Sequence, residues 1–238
     1  GVGNWGSCGT FSMQNTKTLT SGEGGCVVTN DDQQYYKLQQ LRTDGRILIP
    51  EKRIMGELQL DDLGELMGTN YCLSEVQAAI LYYNLLELPQ QLQVRNKNAS
   101  YLTKKLTNLP SLRTQRPNEY QSHSLYYAYV VRLDEGLWPN LPKVREALSQ
   151  ELIATLGEVY TPLPRNKLYN PLSKKRNHLS KEHQRALEQT TELKLPNSEV
   201  IKKTSITFPH HLFLGTQRDM DDIYNAFEKV FINRKLLQ

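Results

Sequence analysis

Helices and strands are interspersed along this sequence, which predicts a fold of the α/β or α+β class. Two amphipathic helical patterns, one in the middle of the chain and one at its C-terminus, support this prediction, together with a strand of alternating apolar residues. The composition, with 38% hydrophobic and 23% charged residues in 238, is typical of a globular protein. This length allows one large domain or two modest ones, with a sizeable core in either case.

The N-terminal region is predicted to contain two short strands and a helix. The strands are GTFSM (9–13) and GGCVVTND (24–31), which are rich in β-branched or aromatic residues and bounded by Gly and Asp. The helix covers residues 33–42 and ends near an Asp-Gly turn dipeptide. The stretch 46–68 is less regular and is expected to be a loop over the surface.

A stronger helical pattern follows in LSEVQAAILYYNLLEL (73–88), where Ser74 and Gln77 fit a capping box. Apolar residues recur there at helical spacing: Val76, Ile80 and Tyr83. Pro89 is expected to interrupt the helix, which then resumes until Pro110 ends it.

The pattern changes beyond this region, and we predict one domain over residues 1–88 and a smaller one over residues 89–238. The second domain contains SLYYAYVVRL (124–133), in which alternate residues are apolar, as in a strand with one packed face. The later elements are, in order, a short helix, a strand leading into a proline-rich loop, a polar helix, a strand and an amphipathic helix: LPKVREALSQEL (141–152), EVYTPLPRNKLYNPL (158–172), HLSKEHQRALEQTTEL (178–193), SITFPHHL (205–212) and TQRDMDDIYNAFEKVF (216–231). Thr216 and Asp219 suit the N-cap of the last helix.

The charge of the chain argues against nucleic acid or an anionic membrane as its partner. The net charge is only +4, and the basic residues are scattered. The densest cluster, at residues 174–176, could be a localisation signal or an anion-binding patch, but short charge runs more often belong to a solvated loop or helix end. A basic nucleic-acid binder is therefore the weakest of the functions considered.

Cysteine usage and hydropathy suggest a compartment. Cys8, Cys26 and Cys72 are widely spaced, without a CxxC pair or Cys/His ligand spacing, so neither a structural zinc site nor a disulfide framework is expected. No apolar run approaches the length of a membrane span, and no signal peptide is visible. A protein of the reducing cytoplasm, without a membrane partner, fits these observations best.

Lys17 lies among small hydroxylated residues in FSMQNTKTLTSGEGG (11–25), between a predicted strand and a glycine cluster. Most lysines are simply exposed surface residues. A lysine amine can also form a Schiff base with a carbonyl cofactor, and hydroxyls such as that of Ser12 suit the phosphate of such a cofactor. Hydroxyl-rich strand ends are common, so these residues alone leave both interpretations open.

The segment FSMQNTKTLTSGEGGCVVTND resembles the Schiff-base segment of the DegT/DnrJ/StrS sugar aminotransferases, with Met13 in place of the usual Phe. Further blocks in the same order extend the resemblance over residues 1–238: RTDGR, GTNYCLSEVQAAI, SLYYAYVVRL, YTPLPRNKLYNP and FPHHLFLGTQRDMDDI. Within the family, SMQ-x-TK-x-LTSGEGG and PL-x-x-x-x-LY-x-P are most similar to the cyclitol branch, which contains glutamine:scyllo-inosose and 2-deoxy-scyllo-inosose aminotransferases.

The resemblance implies the C-terminal part of a fold-type I, aspartate aminotransferase-like large domain, followed by a smaller α+β C-terminal domain. It implies a homodimer that uses pyridoxal 5'-phosphate to transfer an amino group from glutamine or glutamate to a keto-sugar or keto-cyclitol. Lys17 would hold the cofactor covalently and then act as an acid and base, while Ser12 would hydrogen-bond the cofactor phosphate. Asn70 would reach the phosphate bound by the neighbouring subunit, and Tyr169 would contact the substrate.

Most of these residues also have a plain structural interpretation. Ser12 could be an ordinary strand hydroxyl, and Asn70 could be a turn residue ahead of a helix. Gly22, Gly24 and Gly25 are expected to serve backbone geometry rather than ligand contact.

The family's chains run well upstream of the lysine, and that upstream part carries much of the phosphate cradle, the stacking ring and the carboxylate paired with the pyridine nitrogen. Catalysis by this chain alone is therefore not expected. Three interpretations stay open: part of a full aminotransferase, one half of a split enzyme completed by an N-terminal half, or a remnant that has lost catalysis. The runner-up function is a non-catalytic partner of a full-length relative. An incomplete sheet is also expected to expose apolar surface and open edges, which favour pairing or aggregation.

Overall fold

An antiparallel strand pair and a helix form the N-terminal end of the fold. In the computed structural model, β1 (Gly9–Ser12) pairs with β2 (Gly25–Val28), and α1 (Asp32–Arg42) follows. The Asp31 carboxylate accepts hydrogen bonds from two backbone N–H groups of the first turn, which explains where α1 begins. The predicted pair of strands and the predicted helix are confirmed.

The structure describes residues 2–48, 60–62, 65–116, 120, 124–166, 178–191 and 193–238. These residues divide into two compact units, Gly1–Pro89 and Gln90–Gln238. None of the helices in these ranges is long and apolar enough to cross a membrane.

A short hairpin lies where the sequence predicted only a loop. β3 (Arg46–Leu48) and β4 (Leu60–Asp62) are antiparallel, with Ile47 opposite Asp61. The prediction of a loop from 46 to 68 is therefore wrong at these two segments. Three-residue strands depend on pairing with a distant partner for their backbone hydrogen bonds, so they leave little periodicity in the sequence.

One long helix, α2 (Glu75–Leu106), replaces the two predicted helical segments. The predicted interruption at Pro89 is wrong, because the missing proline N–H removes one backbone hydrogen bond while the helix continues on both sides. The predicted cap is confirmed: Ser74 Oγ accepts a hydrogen bond from the Gln77 backbone N–H at 3.3 Å. The division between the two units falls inside this helix.

The second unit is built on a four-stranded antiparallel sheet with the strand order β5-β6-β8-β7. Its strands are β5 (Leu112–Thr114), β6 (Ala128–Leu133), β7 (Gly157–Glu158) and β8 (Ser205–Pro209). The antiparallel pairing of β6 with both β5 and β8 makes β6 a central strand. This sheet confirms the strands predicted in SLYYAYVVRL and SITFPHHL.

Besides the C-terminal part of α2, the described residues of this unit form the helices α3 (Leu141–Leu152), α4 (Lys181–Thr191), α5 (Pro196–Thr204) and α6 (Gln217–Ile232). Short 3₁₀ turns cover Leu163–Arg165, His210–Leu214 and Arg234–Leu237. At the start of α6, Thr216 and Asp219 form the predicted capping box. Neither α5 nor β5 was predicted from the sequence.

The core of the second unit is formed by the C-terminal half of α2, the inner face of the sheet, and helices α3 and α6. Its buried side chains include Ala99, Leu102, Leu106, Tyr129, Val131, Leu133, Trp138, Val144, Leu148, Ile206, Phe208, Phe213, Met220, Ile223, Phe227 and Val230. The predicted alternation holds from Tyr129 to Leu133. Leu125 and Tyr127 are more exposed, since β6 begins only at Ala128.

Candidate functional site

The loop between β1 and β2 carries Lys17, and backbone hydrogen bonds close the base of this loop. The Met13 N–H donates to the Gly24 carbonyl at 2.9 Å, and the Ser21 N–H donates to the Met13 carbonyl at 3.0 Å. Met13, the residue that replaces the family's usual Phe, is buried. Within the loop, the Lys17 N–H donates to the Gln14 carbonyl at 2.9 Å and forms a turn. Lys17 is thus half-buried on a loop whose two ends are joined by backbone hydrogen bonds.

Hydroxyl groups in the second half of the loop fix its path further. Thr20 Oγ1 donates to the Met13 carbonyl at 3.0 Å and accepts the Gly22 N–H at 2.9 Å. Ser21 Oγ donates to the Glu23 carbonyl at 2.8 Å. These side chains satisfy backbone groups that have no strand partner in this loop.

The glycines of this loop have the backbone geometry that the sequence predicted for two of them. Gly22 has a φ of 88° and Gly24 a φ of 133°, which lie in the region that glycine adopts readily. Gly25 has no such φ, and there it is the close approach of the chain that excludes a side chain: a Cβ at Gly25 would lie 2.9 Å from the carbonyl oxygen of Phe11.

Ser12 is the last residue of β1 and is exposed, five residues before Lys17 on the same loop. Its Oγ accepts the Gln14 N–H at 3.4 Å, so its hydroxyl proton can still be donated to an acceptor outside the loop. Ser12 and Lys17 thus lie at the end of β1 and on the loop that follows it.

Asn70 lies on the segment that leads into α2. It forms an antiparallel bridge with Thr43, and its Oδ1 accepts the Cys72 N–H at 3.3 Å. This bond closes a local turn, as expected if Asn70 is a turn residue ahead of a helix. It uses the amide oxygen, and the Nδ2 hydrogens of this exposed side chain can serve another acceptor.

Two side chains of α2 contact the Lys17 loop directly. Asn84 Nδ2 donates to the Thr20 carbonyl at 2.8 Å, and Gln77 Nε2 donates to the Glu23 carbonyl at 3.2 Å. The sequence indicated Gln77 only as a capping residue, and Asn84 not at all. Their spacing of seven residues, two helical turns apart, was the available signal that they share a face.

Three apolar residues of this part of α2 are exposed to solvent. Val76, Ile80 and Tyr83, whose spacing predicted the helix, are 71%, 47% and 67% exposed. The spacing thus identified the helix correctly, although a different face, containing Gln77 and Asn84, meets the loop. Tyr169, the predicted substrate contact, lies outside the described residues.

The chemistry of these side chains suits pyridoxal phosphate, which presents one aldehyde and one phosphate. Lys17 provides the amine that an aldehyde requires. Ser12 and Asn70 provide neutral hydrogen-bond donors of the kind that phosphate oxygens accept. The donor set on these segments therefore fits the cofactor that the resemblance implies.

Comparison with known proteins supports the same conclusion. The family model for DegT/DnrJ/EryC1/StrS aminotransferases matches residues 1–228. The chain is 42% identical over 231 residues to the L-glutamine:2-deoxy-scyllo-inosose aminotransferase of Streptomyces lividus, covering 96% of this chain and 54% of that protein. It is 34% identical over 234 residues to the L-glutamine:scyllo-inosose aminotransferase of Streptomyces griseus, covering 98% and 55%. The chain thus spans about half the length of the curated relatives it matches.

The described part of this chain shares its fold with part of a solved structure. An aminotransferase of Helicobacter pylori involved in pseudoaminic acid biosynthesis superposes with a TM-score of 0.73 at 21% identity, covering 98% of this chain and 55% of that one. The described residues therefore adopt part of an α/β transferase fold. Aminotransferases of the matching family depend on pyridoxal phosphate. With a family model that matches nearly the whole sequence, this chain belongs to the DegT/DnrJ/EryC1/StrS aminotransferase family.

Proposed function

We propose that this chain supplies the active-site lysine of a pyridoxal phosphate-dependent aminotransferase that transfers an amino group from glutamine or glutamate to a keto-cyclitol or keto-sugar. The observation that carries this proposal is Lys17, half-buried on a loop fixed at its base, in a chain 42% identical to a cyclitol aminotransferase. That relative is named for L-glutamine and 2-deoxy-scyllo-inosose, so a keto-cyclitol is the substrate class we favour.

The residues of the loop have separate roles in this proposal. When bound, pyridoxal phosphate supplies an aldehyde that combines with amines and a ring that withdraws electrons. Lys17 Nζ would hold the cofactor through its aldehyde, with loss of water, and as a free amine would take and return the proton at the α-carbon of the amino donor. Ser12 Oγ would donate a hydrogen bond to the cofactor phosphate, and Tyr169 would contact the substrate.

The site is proposed to need a second chain. In this arrangement Asn70 Nδ2 donates to a phosphate held by the other subunit of a homodimer. Exposed apolar side chains on the segment after Asn70 and along the first turns of α2 support such pairing, because surface of this kind marks protein interaction sites. Four of them, each between 66% and 74% exposed, are Tyr71, Val76, Tyr82 and Tyr83.

Residues 1–88 are assigned, in the same proposal, to the cofactor-binding large domain and residues 89–238 to the small domain. The part of the large domain that these residues do not supply comes either from the same polypeptide or from a separate N-terminal half. The alternative function, a non-catalytic partner of a full-length relative, gains no support from the comparisons.

Borohydride reduction in the presence of pyridoxal phosphate, followed by peptide mapping, tests the proposal. The chain is treated alone and again with a full-length relative, and Lys17→Ala is compared with Lys37→Ala, which alters an exposed lysine of α1. A reduced adduct on Lys17, lost in Lys17→Ala and kept in Lys37→Ala, is the expected result. Labelling spread over surface lysines in both conditions would contradict the proposed role of Lys17.

A second measurement tests the substrates. The chain together with a full-length relative is incubated with L-glutamine and 2-deoxy-scyllo-inosose, and the aminated cyclitol is measured. Product that depends on Lys17 of this chain is expected. Product formed equally with the Lys17→Ala variant would assign the catalysis to the relative alone.

A further inference from the structure

We propose that Gln77 and Asn84 are positioning residues, which hold the Lys17 loop from one face of α2. This inference rests on the proposed function of Lys17 and deepens it, since it identifies what holds the amine in place. Neither residue contacts the reacting atoms in this proposal, and both act through the loop backbone.

Both residues bind the part of the loop that follows Lys17. Asn84 Nδ2 lies 2.8 Å from the Thr20 carbonyl oxygen, three residues after Lys17, and Gln77 Nε2 lies 3.2 Å from that of Glu23. The part before Lys17 continues directly from β1. The loop is thus attached to a strand before Lys17 and to a helix after it.

Hydrogen bonds of this kind restrict a loop efficiently, because their acceptors are backbone carbonyls and their donors are on a helix. Seven residues of helix separate the two donors by about 10 Å along its axis. A net stabilisation of about 1 kcal/mol for each bond corresponds to a roughly five-fold change in how often the loop opens.

Gln77 also connects the loop to the segment that carries Asn70. Its Oε1 accepts the Ser74 hydroxyl at 3.0 Å, while Ser74 Oγ accepts the Gln77 N–H at 3.3 Å. The cap of α2 thereby orients the Gln77 amide so that Nε2 faces Glu23. As a result, the first turn of α2 holds both the Lys17 loop and the end of the Asn70 segment.

Two nearly isosteric substitutions isolate the donated hydrogen bonds. Asn84→Asp and Gln77→Glu keep the size of each side chain, remove the N–H donor and place a carboxylate oxygen against a carbonyl oxygen. Gln77→Glu also keeps the acceptor for the Ser74 hydroxyl, so the cap is preserved. Gln93→Glu, an exposed position on the same helix, is the matched control.

Hydrogen exchange of the amides in residues 14–24 and the pH midpoint of the visible absorbance of the Lys17–pyridoxal phosphate adduct are measured for each variant. We expect exchange about five-fold faster in each loop variant than in the wild type, a shifted pH midpoint, and no change in the control. At low pH the carboxyl introduced by Asn84→Asp becomes protonated and can donate again, so exchange corrected for its intrinsic pH dependence should slow in that variant.

The outcomes separate this inference from the function on which it rests. Unchanged exchange in both variants, with a normal wild-type adduct, overturns the positioning role alone. Faster exchange with an unchanged pH midpoint assigns Gln77 and Asn84 to loop stability only and also overturns it. Absence of a wild-type adduct on Lys17, even with a full-length relative, overturns the proposed function and the positioning role with it.

Discussion

The hydroxyl oxygens of Tyr129 and Thr103 lie 2.7 Å apart in the core of the second unit. Tyr129 is fully buried on β6, and this burial raises the pKa of its phenol to about 12. An unfolded tyrosine titrates near pH 10, so between these values the folded chain binds a proton that the unfolded chain has released. The stability that this group contributes is therefore complete below pH 10 and is lost as the pH rises toward 12.

Replacing Tyr129 by Phe should flatten this alkaline loss of stability. We expect the wild type to lose up to about 2–3 kcal/mol of unfolding free energy to this group over that range, and the variant to lose none of this part. At neutral pH the variant should be less stable by about 1 kcal/mol, because Thr103 loses its partner. Urea unfolding from pH 8 to 11 measures both effects, with about half of the alkaline loss developed by pH 11, and the exposed Tyr120→Phe is the control. Parallel curves for wild type and Tyr129→Phe would contradict the assignment.

Glu158 makes the stability of the fold depend on pH in the acidic range. Its carboxylate accepts hydrogen bonds from Lys202 on α5, at 2.5 Å, and from Arg145 on α3. These two cations, Lys202 foremost, lower the pKa of the carboxyl to about 2. Stability from this group is present above the unfolded pKa of 4.5 and is lost as the pH falls toward 2.

The Glu158→Gln variant should therefore melt at a lower temperature than the wild type at pH 7 and at the same temperature near pH 2. The side chain is 47% exposed, and solvent screening limits the difference to about 1 kcal/mol or less. Calorimetry across this range measures the difference, and Glu146→Gln, an exposed position on α3, is the control. A difference that persists undiminished at pH 2 would show that it has a source other than charge.

Local signals explain which elements could be predicted from the sequence. Helix α6 was predicted closely because its capping box and its buried residues, such as Met220 and Phe227, lie within a few turns of one another. The short strand β5 was missed because its backbone partners lie on β6, whose register pairs Leu112 with Leu133. Such pairing is visible only after the chain has folded.

The same distinction applies to the candidate site. Lys17 and Ser12 were predicted because one short segment carries both and resembles a known motif. The contact between Asn84 and Thr20 joins residues 64 positions apart, and no local pattern encodes it. The contact between the loop and α2 could therefore be seen only in the structure, whereas the segment that carries Ser12 and Lys17 could be recognised in the sequence.

Arg113 and Arg132 lie directly opposite each other on β5 and β6. Both line a cavity of about 350 Å³, whose other charged residues are Lys203, Asp134 and Glu135. Like charges at directly opposed positions destabilise a sheet. We expect Arg113→Gln to raise the free energy of unfolding by about 0.2–1 kcal/mol at low ionic strength and by less at high salt, where screening is stronger. Melting curves at the two ionic strengths measure this, with Arg116→Gln as control. An equal gain in both variants would point to net charge instead of the opposed pair.

Gly68 lies two residues before Asn70, where three backbone segments approach closely. A Cβ at this position would collide with the Gln40 carbonyl oxygen and lie 2.6 Å from the Gly45 nitrogen, and neither backbone atom can move without shifting its segment. Gly22 differs, since its φ is 88° and a Cβ there would have no neighbouring atom within 4 Å. Gly68 is therefore required by close packing, and Gly22 by its backbone conformation.

Gly68→Ala should accordingly cost about 1–3 kcal/mol through overpacking, and Gly22→Ala about 1–2 kcal/mol through its positive φ alone. The two variants should differ in which backbone amides exchange faster. Hydrogen exchange should accelerate at the Thr69 and Tyr71 amides, which donate to Leu41 and Arg42, only in Gly68→Ala. Because these bonds hold the segment on either side of Asn70, pairing with a full-length relative should weaken in the same variant. If exchange at these two amides stays unchanged in Gly68→Ala, the close approach does not hold the Asn70 segment in place.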